Sequence, residues 1–345
     1  MGELEDTAWR IEAARINVHK PGKVMQGWFA DNVVHLSPEK TMALSLYAQS
    51  AQDWFAASCA SPILELTEIA GFYGHAVIIK APPHSCVVKF AFQDGRVAKE
   101  IAALQRLRPH SVLPMPEVLA SGVRSIGGKD VGMLVLDYLP GKAPWDIQPD
   151  AARIVALSDS FVEAMLHLHQ QSNPAGYELP DGGFTQSLIA AFSDWNRAAH
   201  AYSQAADSPF SPVLRVSLQA LWELRHDVLG PIDRDASSLV HDDPHAGNFL
   251  FDPVTCLPMA MLDPCDVAFR HREQDLFHLA DVRPEWGLFE RYVSACPLHA
   301  GHEQRRWFFS IWDDVKHCLN RGWYDEDWFV AKFDRLAASG VRLGA

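Results

Sequence analysis

Nowhere in this chain do eighteen apolar residues run together, which excludes a membrane-spanning helix from the expected fold. Cysteine is scarce. The six, at 59, 86, 256, 265, 296 and 318, form no C-x-x-C pair and follow no zinc-ligand spacing, so they read as scattered reduced thiols. Basic residues fall short of acidic ones, 30 Lys and Arg against 43 Asp and Glu, leaving a formal charge of −13. Such a surface repels phosphate backbones and argues against nucleic acid as a partner, while it attracts small cations. Repeats and low-complexity tracts are also missing. The start, Met1-Gly2-Glu3-Leu4-Glu5-Asp6, has neither the basic-then-apolar layout of a signal peptide nor a myristoylation pattern, and the expectation is a cytoplasmic protein. What remains is ordinary globular composition, 48% hydrophobic and 21% charged over 345 residues. That length suits two domains, or one domain of two lobes.

The pattern changes character near residue 140. Before it, Ile63–Ile69, Ala76–Lys80 and Cys86–Phe92 read as strands, broken at Gly71, Gly74 and Pro82-Pro83. Arg96–Leu107 carries Val97, Ile101 and Leu104 at helical spacing, and strands near Glu117–Ala120 and Gly132–Tyr138 close the region. Pro140-Gly141-Lys142-Ala143-Pro144 punctuates the chain like a hinge. Beyond it, Ile154, Phe161, Met165 and Leu168 mark one helix, and Leu214, Leu218, Leu221 and Leu224 another. The stretch 176–212 is helical in part, and 300–338 is helical and dense in aromatics. Thr41–Ser58 reads as a helix, whereas the first forty residues show no pattern.

The informative segment is Leu239-Val240-His241-Asp242-Asp243-Pro244-His245-Ala246-Gly247-Asn248, followed by two short apolar runs and then Leu262-Asp263-Pro264-Cys265-Asp266. His-x-Asp-x-x-x-x-Asn with a later Asp is what phosphoryl transfer asks for: a carboxylate that orients or deprotonates the attacking hydroxyl, and oxygen donors that hold magnesium against the nucleotide phosphates. Asp243 fills the first role. Runs 249–251 and 259–262 can pair as a hairpin that returns Asp263 beside Asn248, and an amide oxygen with a carboxylate suits Mg²⁺. A solvated polar loop is the plainer account of the same residues. A metal-dependent hydrolase is another, because His241, Asp242, Asp243 and His245 could bind a transition metal.

Upstream residues point to a nucleotide. Lys89 ends an apolar run where a strand can place an ammonium over phosphates. Glu100, eleven residues on, shares the apolar face of the 96–107 helix, where an inward acid needs a cation. Gly71-Phe72-Tyr73-Gly74 joins two strands before the lysine and can either cover phosphates or serve as a plain turn.

These pieces resemble the aminoglycoside phosphotransferase-like branch of the protein-kinase-like fold, and within it most closely the fructosamine kinases. The matching residues are Lys89, Glu100, Leu134-Val135-Leu136-Asp137-Tyr138-Leu139-Pro140-Gly141, the 241–248 loop, and Leu262-Asp263-Pro264 followed by His271-Arg272-Glu273-Gln274-Asp275-Leu276. Residues 63–325 are covered. The resemblance implies ATP in a cleft, its adenine against backbone at Asp137, Tyr138 and Leu139. It makes Asp243 the base and Asn248 and Asp263 the magnesium ligands, has His241 brace the loop, and lets Asp275 anchor it. Two positions depart from the family pattern: Asp242 stands where Gly is usual, and Pro244 where Leu or Trp is usual. Asp242 adds negative charge beside the base, raising its pKa or binding substrate.

The resulting expectation is an α+β, bilobal protein-kinase-like fold, with a small antiparallel sheet of five strands and one helix, then a larger, mostly helical lobe. Residues 1–60 form an extension, 61–140 the nucleotide lobe and 141–345 the helical lobe. The activity expected is transfer of the γ-phosphoryl group of ATP, with Mg²⁺, to a hydroxyl of a sugar, amino sugar or glycated amine. An aminoglycoside phosphotransferase and a non-catalytic nucleotide-binding protein stand as alternatives. Candidate substrate contacts are Asp242, His245, Asp266, His271, Glu273, Asp313 and Trp323, with further acids at Asp314, Asp325, Glu326 and Asp327. Trp307, Trp312 and Trp328 either stack on substrate or pack between helices.

Overall fold

The computed structural model describes residues 33–36, 45–71 and 73–341. It divides into two compact units. One holds the described residues up to Pro109, with Leu113–Gln148 and Asn248–Cys265; the other holds His110–Val112, Pro149–Gly247 and the described residues from Asp266 on.

The first unit is built on an antiparallel sheet of six strands: β1 (Val33–Leu36), β2 (Glu65–Ala70), β3 (Gly74–Lys80), β4 (Cys86–Ala91), β5 (Val118–Ile126) and β6 (Lys129–Asp137), in the order β1-β2-β3-β4-β6-β5. Side chains alternate between faces along a strand. Val77 and Ile79 of β3, Val88 and Phe90 of β4, and Met133 and Val135 of β6 therefore form one apolar layer. Against it pack Ala48, Ala51 and Phe55 of helix α1 (Leu46–Ser58). Ser45 caps that helix, accepting from Ala48 N–H at 3.1 Å while its hydroxyl donates to Glu68 Oε2 at 2.6 Å. Lys89, one residue out of phase with Val88 and Phe90, emerges on the opposite face, where α2 (Arg96–Leu107) supplies Glu100.

Three expectations change here. The sheet has six strands rather than five, because Val33–Leu36 pairs with β2. Helix α1 belongs to the sheet's core, so 45–58 is not part of a separate extension; Thr41–Leu44 of the expected helix lie outside the described residues. The hairpin β5–β6 is also much longer than its apolar runs indicate, closing Ile126 on Lys129 around Gly127 (φ 58°) and Gly128 (φ 79°). Two successive positive φ values form the tight turn that matches strand twist, and glycine adopts them without strain.

Segment 248–265 also departs from the expected boundaries. It forms the hairpin β10 (Phe249–Phe251) and β11 (Pro258–Met261), Phe249 opposite Met261, and clusters with the sheet unit. Lys142 and Phe251 exchange N–H···O bonds of 2.9 and 2.8 Å, and Met261 N–H donates to Pro114 O at 2.9 Å.

The second unit is mostly helical: α3 (Ala151–His169), α4 (Leu188–Gln204), α5 (Pro212–Glu223), α6 (Arg225–Leu229), α7 (Glu273–Leu276), α8 (Leu288–Ala295), α9 (His302–Arg321) and α10 (Glu326–Ala338), with a short ladder β7 (Tyr177–Glu178) and β8 (Phe184–Thr185). Asp150, Ser187, Ser211 and Asp325 cap α3, α4, α5 and α10, and Pro212 occupies the first position of α5. Phe192, Leu218, Leu221, Phe308, Ile311, Trp312 and Phe329 fill its core. Burying each contributes about 1.5–3 kcal/mol of hydrophobic free energy before entropy is counted. A second ladder, β9 (Ser238–Val240) with β12 (Ala268–Arg270), sets Val240 opposite Ala268 and launches the loop that begins at His241.

Candidate active site

In the sheet unit, three charged side chains meet at one ammonium. Lys89 Nζ lies 2.5 Å from Glu100 Oε1 and 2.8 Å from Asp263 Oδ1. Burial pushes the lysine pKa down, but the Asp263 and Glu100 carboxylates outweigh it and hold the ammonium above its ordinary value. Asp263 follows β11 with φ 52°, a left-handed conformation that Asp tolerates better than most residues. Its neighbour Leu262 donates N–H to Asn248 O at 2.8 Å, so the hairpin brings the start of β10 and the end of β11 together, as the spacing predicts. Asn248 is buried, whereas the Asp263 side chain is about half exposed.

The remaining residues expected near a nucleotide occupy the same unit. Gly71 N–H donates to Gly74 O at 2.8 Å. A Cβ on Gly74 would stand 2.3 Å from Phe90 O, so glycine there is required by the approach of β3 to β4, whatever else the turn does. Phe72, between them, lies outside the described residues. Asp137 ends β6; its carboxylate accepts Glu117 N–H at 2.5 Å, and Tyr138 N–H donates to Ser85 O at 3.3 Å, with Leu139 next along the partly buried connection.

The helical unit holds the 241–247 loop, and Asp275 organises it. Fully buried on α7, Asp275 accepts N–H of His241 through Oδ2 and of Asp242 through Oδ1, each at 2.8 Å. Its Oδ2 also meets His169 Nε2 at 3.1 Å, and His169 Nδ1 meets the Tyr292 hydroxyl at 2.8 Å. Burial raises the Asp275 pKa, but the bonds and charges of His169 and His241 overcome it and leave the pKa below its usual value. His241 is buried, and its Nδ1 lies 3.3 Å from the Asp243 N–H.

Asp242, the departure from the family's glycine, adopts φ 72°. The backbone demand that glycine meets is thus kept, and the added carboxylate faces inward. Oδ1 accepts from Arg270 at 2.5 Å, and Oδ2 accepts from Lys316 at 3.2 Å and from Asp266 N–H at 3.3 Å. Arg270 is buried and stacks 3.9 Å above the Trp195 ring. Asp242 therefore ties the loop to β12 and α9, and its charge is matched from two sides.

Asp243 Oδ1 lies 3.5 Å from His245 Nε2 and 3.5 Å from His278 Nδ1. His278, one turn beyond Asp275, is not among the expected site residues; the sequence signal is its i+3 spacing from both Asp275 and Asp281. No three of His241, Asp242, Asp243 and His245 gather as one ion's ligands among the described residues.

Other candidate substrate contacts are engaged in the scaffold. His271 Nε2 meets Asp235 Oδ2 at 3.4 Å. Glu273 forms a two-point pair with buried Arg305, at 2.7 and 2.9 Å. Trp323 packs on the helical core near Phe329, and Trp312 is buried inside it. Asp313 pairs with Lys316 at 2.7 Å and His317 at 3.1 Å; burial raises its pKa, yet these cations and His278 pull it well below normal. Asp314 binds Lys332 and accepts Trp328 Nε1–H at 2.8 Å, but burial dominates and its pKa is raised.

A six-stranded sheet with an inward lysine–glutamate pair, and a mostly helical unit that holds the 241–247 loop, define the α+β protein-kinase-like fold. The sequence matches the Phosphotransferase enzyme family over residues 66–308, and the chain belongs to that family. A Haemophilus somnus 129PT protein described as a fructosamine-3-kinase superposes with a TM-score of 0.61 at 15% identity, over 85% of this chain and 96% of its own. The GDP complex of aminoglycoside 2'-phosphotransferase-IIIa gives 0.59 at 17% identity, over 85% and 98%. The streptomycin–ATP complex of APH(2")-IIa gives 0.57 at 14%, over 86% and 97%. At these identities the likenesses establish the fold. A comparison with curated proteins finds no match. No described helix is long and apolar enough to cross a membrane.

Proposed function

We propose that this protein transfers the γ-phosphoryl group of ATP to a hydroxyl of a small sugar, amino sugar or glycated amine. The observation that carries the reading is the Lys89 ammonium held between Glu100 and Asp263. A lysine fixed by a helix glutamate, beside an aspartate on a hairpin, is the arrangement that phosphoryl transfer uses to neutralise phosphate charge. Asn248 and Asp263 provide a neutral and an anionic oxygen donor, a set that fits magnesium. When bound, the ion would neutralise charge on the nucleotide phosphates.

The chain's own groups then have separate tasks. Lys89 neutralises nucleotide phosphate oxygens, and Glu100 keeps its ammonium oriented. Asp243 orients the acceptor hydroxyl and takes its proton as the oxygen attacks phosphorus, while ADP departs. Asp275 fixes the loop by its two backbone bonds, so the carboxylate needs little reorganisation. His241 braces the same loop.

The internal pairing of acids favours a neutral or singly charged acceptor over a polycationic aminoglycoside. Asp242, Glu273, Asp313 and Asp314 each already have a protein cation, and ammonium groups of a ligand would have to displace those partners. An acceptor screen by coupled ADP release, spanning glycated amines, simple hexoses, amino sugars and aminoglycosides, tests this. ADP formation dependent on a glycated amine or hexose is expected. ATP binding without ADP release from any acceptor would overturn it and leave a nucleotide-binding protein.

A further inference from the structure

The surroundings of Asp243 hold a group that the 241–248 motif does not include. His278 is 5% exposed, and its Nδ1 lies 3.2 Å from Asp281 Oδ2 and 3.5 Å from Asp243 Oδ1. The three-residue step from His278 to Asp281 within one short helical turn makes the first contact local. The second reaches across to the loop that Asp275 anchors. His245, buried on that loop, meets the same Asp243 oxygen at 3.5 Å.

We propose that His278 is a positioning residue for Asp243: its Nδ1–H, shared with Asp281, holds the Asp243 carboxylate in the orientation that receives the acceptor's proton. The inference rests on the reading of Asp243 as the base. No bond is made or broken by His278. Its proton stays on Nδ1 throughout, and the acceptor's proton goes to Asp243.

The groups facing His278 keep it cationic. From the loop come Asp243 and His245, from its own segment Asp281, and from α9 Asp313, which is itself paired with Lys316 and His317. Lys332 of α10 acts on Asp281 from behind. Burial pushes the imidazole pKa down, but the Asp281 hydrogen bond and the charges of Asp243, Asp313 and Asp281 outweigh it, and the pKa is pushed up to about 9. At neutral pH both ring nitrogens therefore carry protons, and Nδ1 serves only as a donor.

The test uses the full chain, Mg·ATP and a glycated lysine as acceptor, with water as the acceptor in its absence, and reads ADP release across pH. In the unaltered protein kcat should fall on an alkaline limb near pH 9. His278→Asn keeps a donor near Nδ1 but does not titrate; it should lower kcat about 10–10²-fold with KM for ATP unchanged, and abolish that limb. Asp281→Asn, which leaves the imidazole in place, should move the limb to lower pH. Histidine-labelled NMR supplies an arm independent of turnover: the resonance missing in His278→Asn should titrate near 9, and at lower pH in Asp243→Asn. An active His278→Asn with unaltered kcat and limb, or a His278 titration indifferent to Asp243→Asn, overturns the inference while leaving the kinase reading intact. An unaltered protein that releases no ADP with either acceptor overturns both.

Discussion

Lys89 Nζ and Asp263 Oδ1 stand 2.8 Å apart although 174 positions separate them in the chain. Strand β4 brings one and the β10–β11 hairpin the other, and Glu100 completes the contact. The aspartate proposed to hold a metal thus neutralises the lysine proposed to hold phosphates, and under that reading a nucleotide would compete for both.

Removing that aspartate's charge should separate the two tasks. Asp263→Asn, whose side chain also tolerates positive φ, is expected to abolish the magnesium dependence of ATP affinity. Titration calorimetry with and without Mg²⁺ checks it; an unchanged Mg·ATP affinity would remove Asp263 from the metal site.

Replacing Asp243 by Asn keeps size and hydrogen bonding but deletes the proton acceptor. Turnover should drop about 10²–10⁴-fold with ATP affinity preserved. Steady-state kinetics against nucleotide titration distinguishes this from a folding defect, and full activity in the variant would exclude Asp243 as base.

Asp242→Gly restores the family's residue and keeps the left-handed backbone, yet it strands buried Arg270 without its carboxylate. Loss of one partner from a buried pair costs about 3–5 kcal/mol. Denaturant unfolding should show that loss, with Asp242→Asn retaining more of the stability. A fully stable glycine variant would mean that the Trp195 stack alone holds Arg270.

Stability should also depend on pH in two opposite directions. Asp275 has a folded pKa below its ordinary 3.8, so the unfolded chain binds more protons in acid; its contribution is complete above about pH 4 and disappears as pH falls through the folded value. His278 is the reverse. With a folded value of about 9 against 6.5, its contribution is complete below 6.5 and is lost as pH rises through 9. Thermal melts across pH should therefore plateau between about 4 and 6.5, and Asp275→Ala should flatten the acid side. An acid limb unaltered in that variant would assign it to other carboxylates.

Much of the site is legible in the amino-acid order because its chemistry is contiguous. His241 to Asn248 are contiguous, and the β10–β11 hairpin follows from two short apolar runs separated by a turn. Lys89 and Glu100 are legible through periodicity, one out of phase with a buried strand face and the other on a buried helix face. Asp313 and Asp314 are different. As letters they are acids on a helix: Lys316 and His317 stand three and four positions beyond Asp313 on the same helix, whereas only packing supplies Lys332 as the partner of Asp314. His278 is hidden for the same reason, since nothing local links it to Asp243. Strand Val33–Leu36 carries too short a pattern to stand out, and its identity depends on pairing with β2.

The hairpin at 248–265 has one last consequence for anyone cutting this protein into pieces. A fragment stopping at Gln148 would keep the sheet but lose the strand that bonds Lys142 and the carboxylate that faces Lys89. Excising the sheet unit as one uninterrupted stretch is therefore self-defeating. A stable excised version would need residues 248–265 spliced back onto its tail.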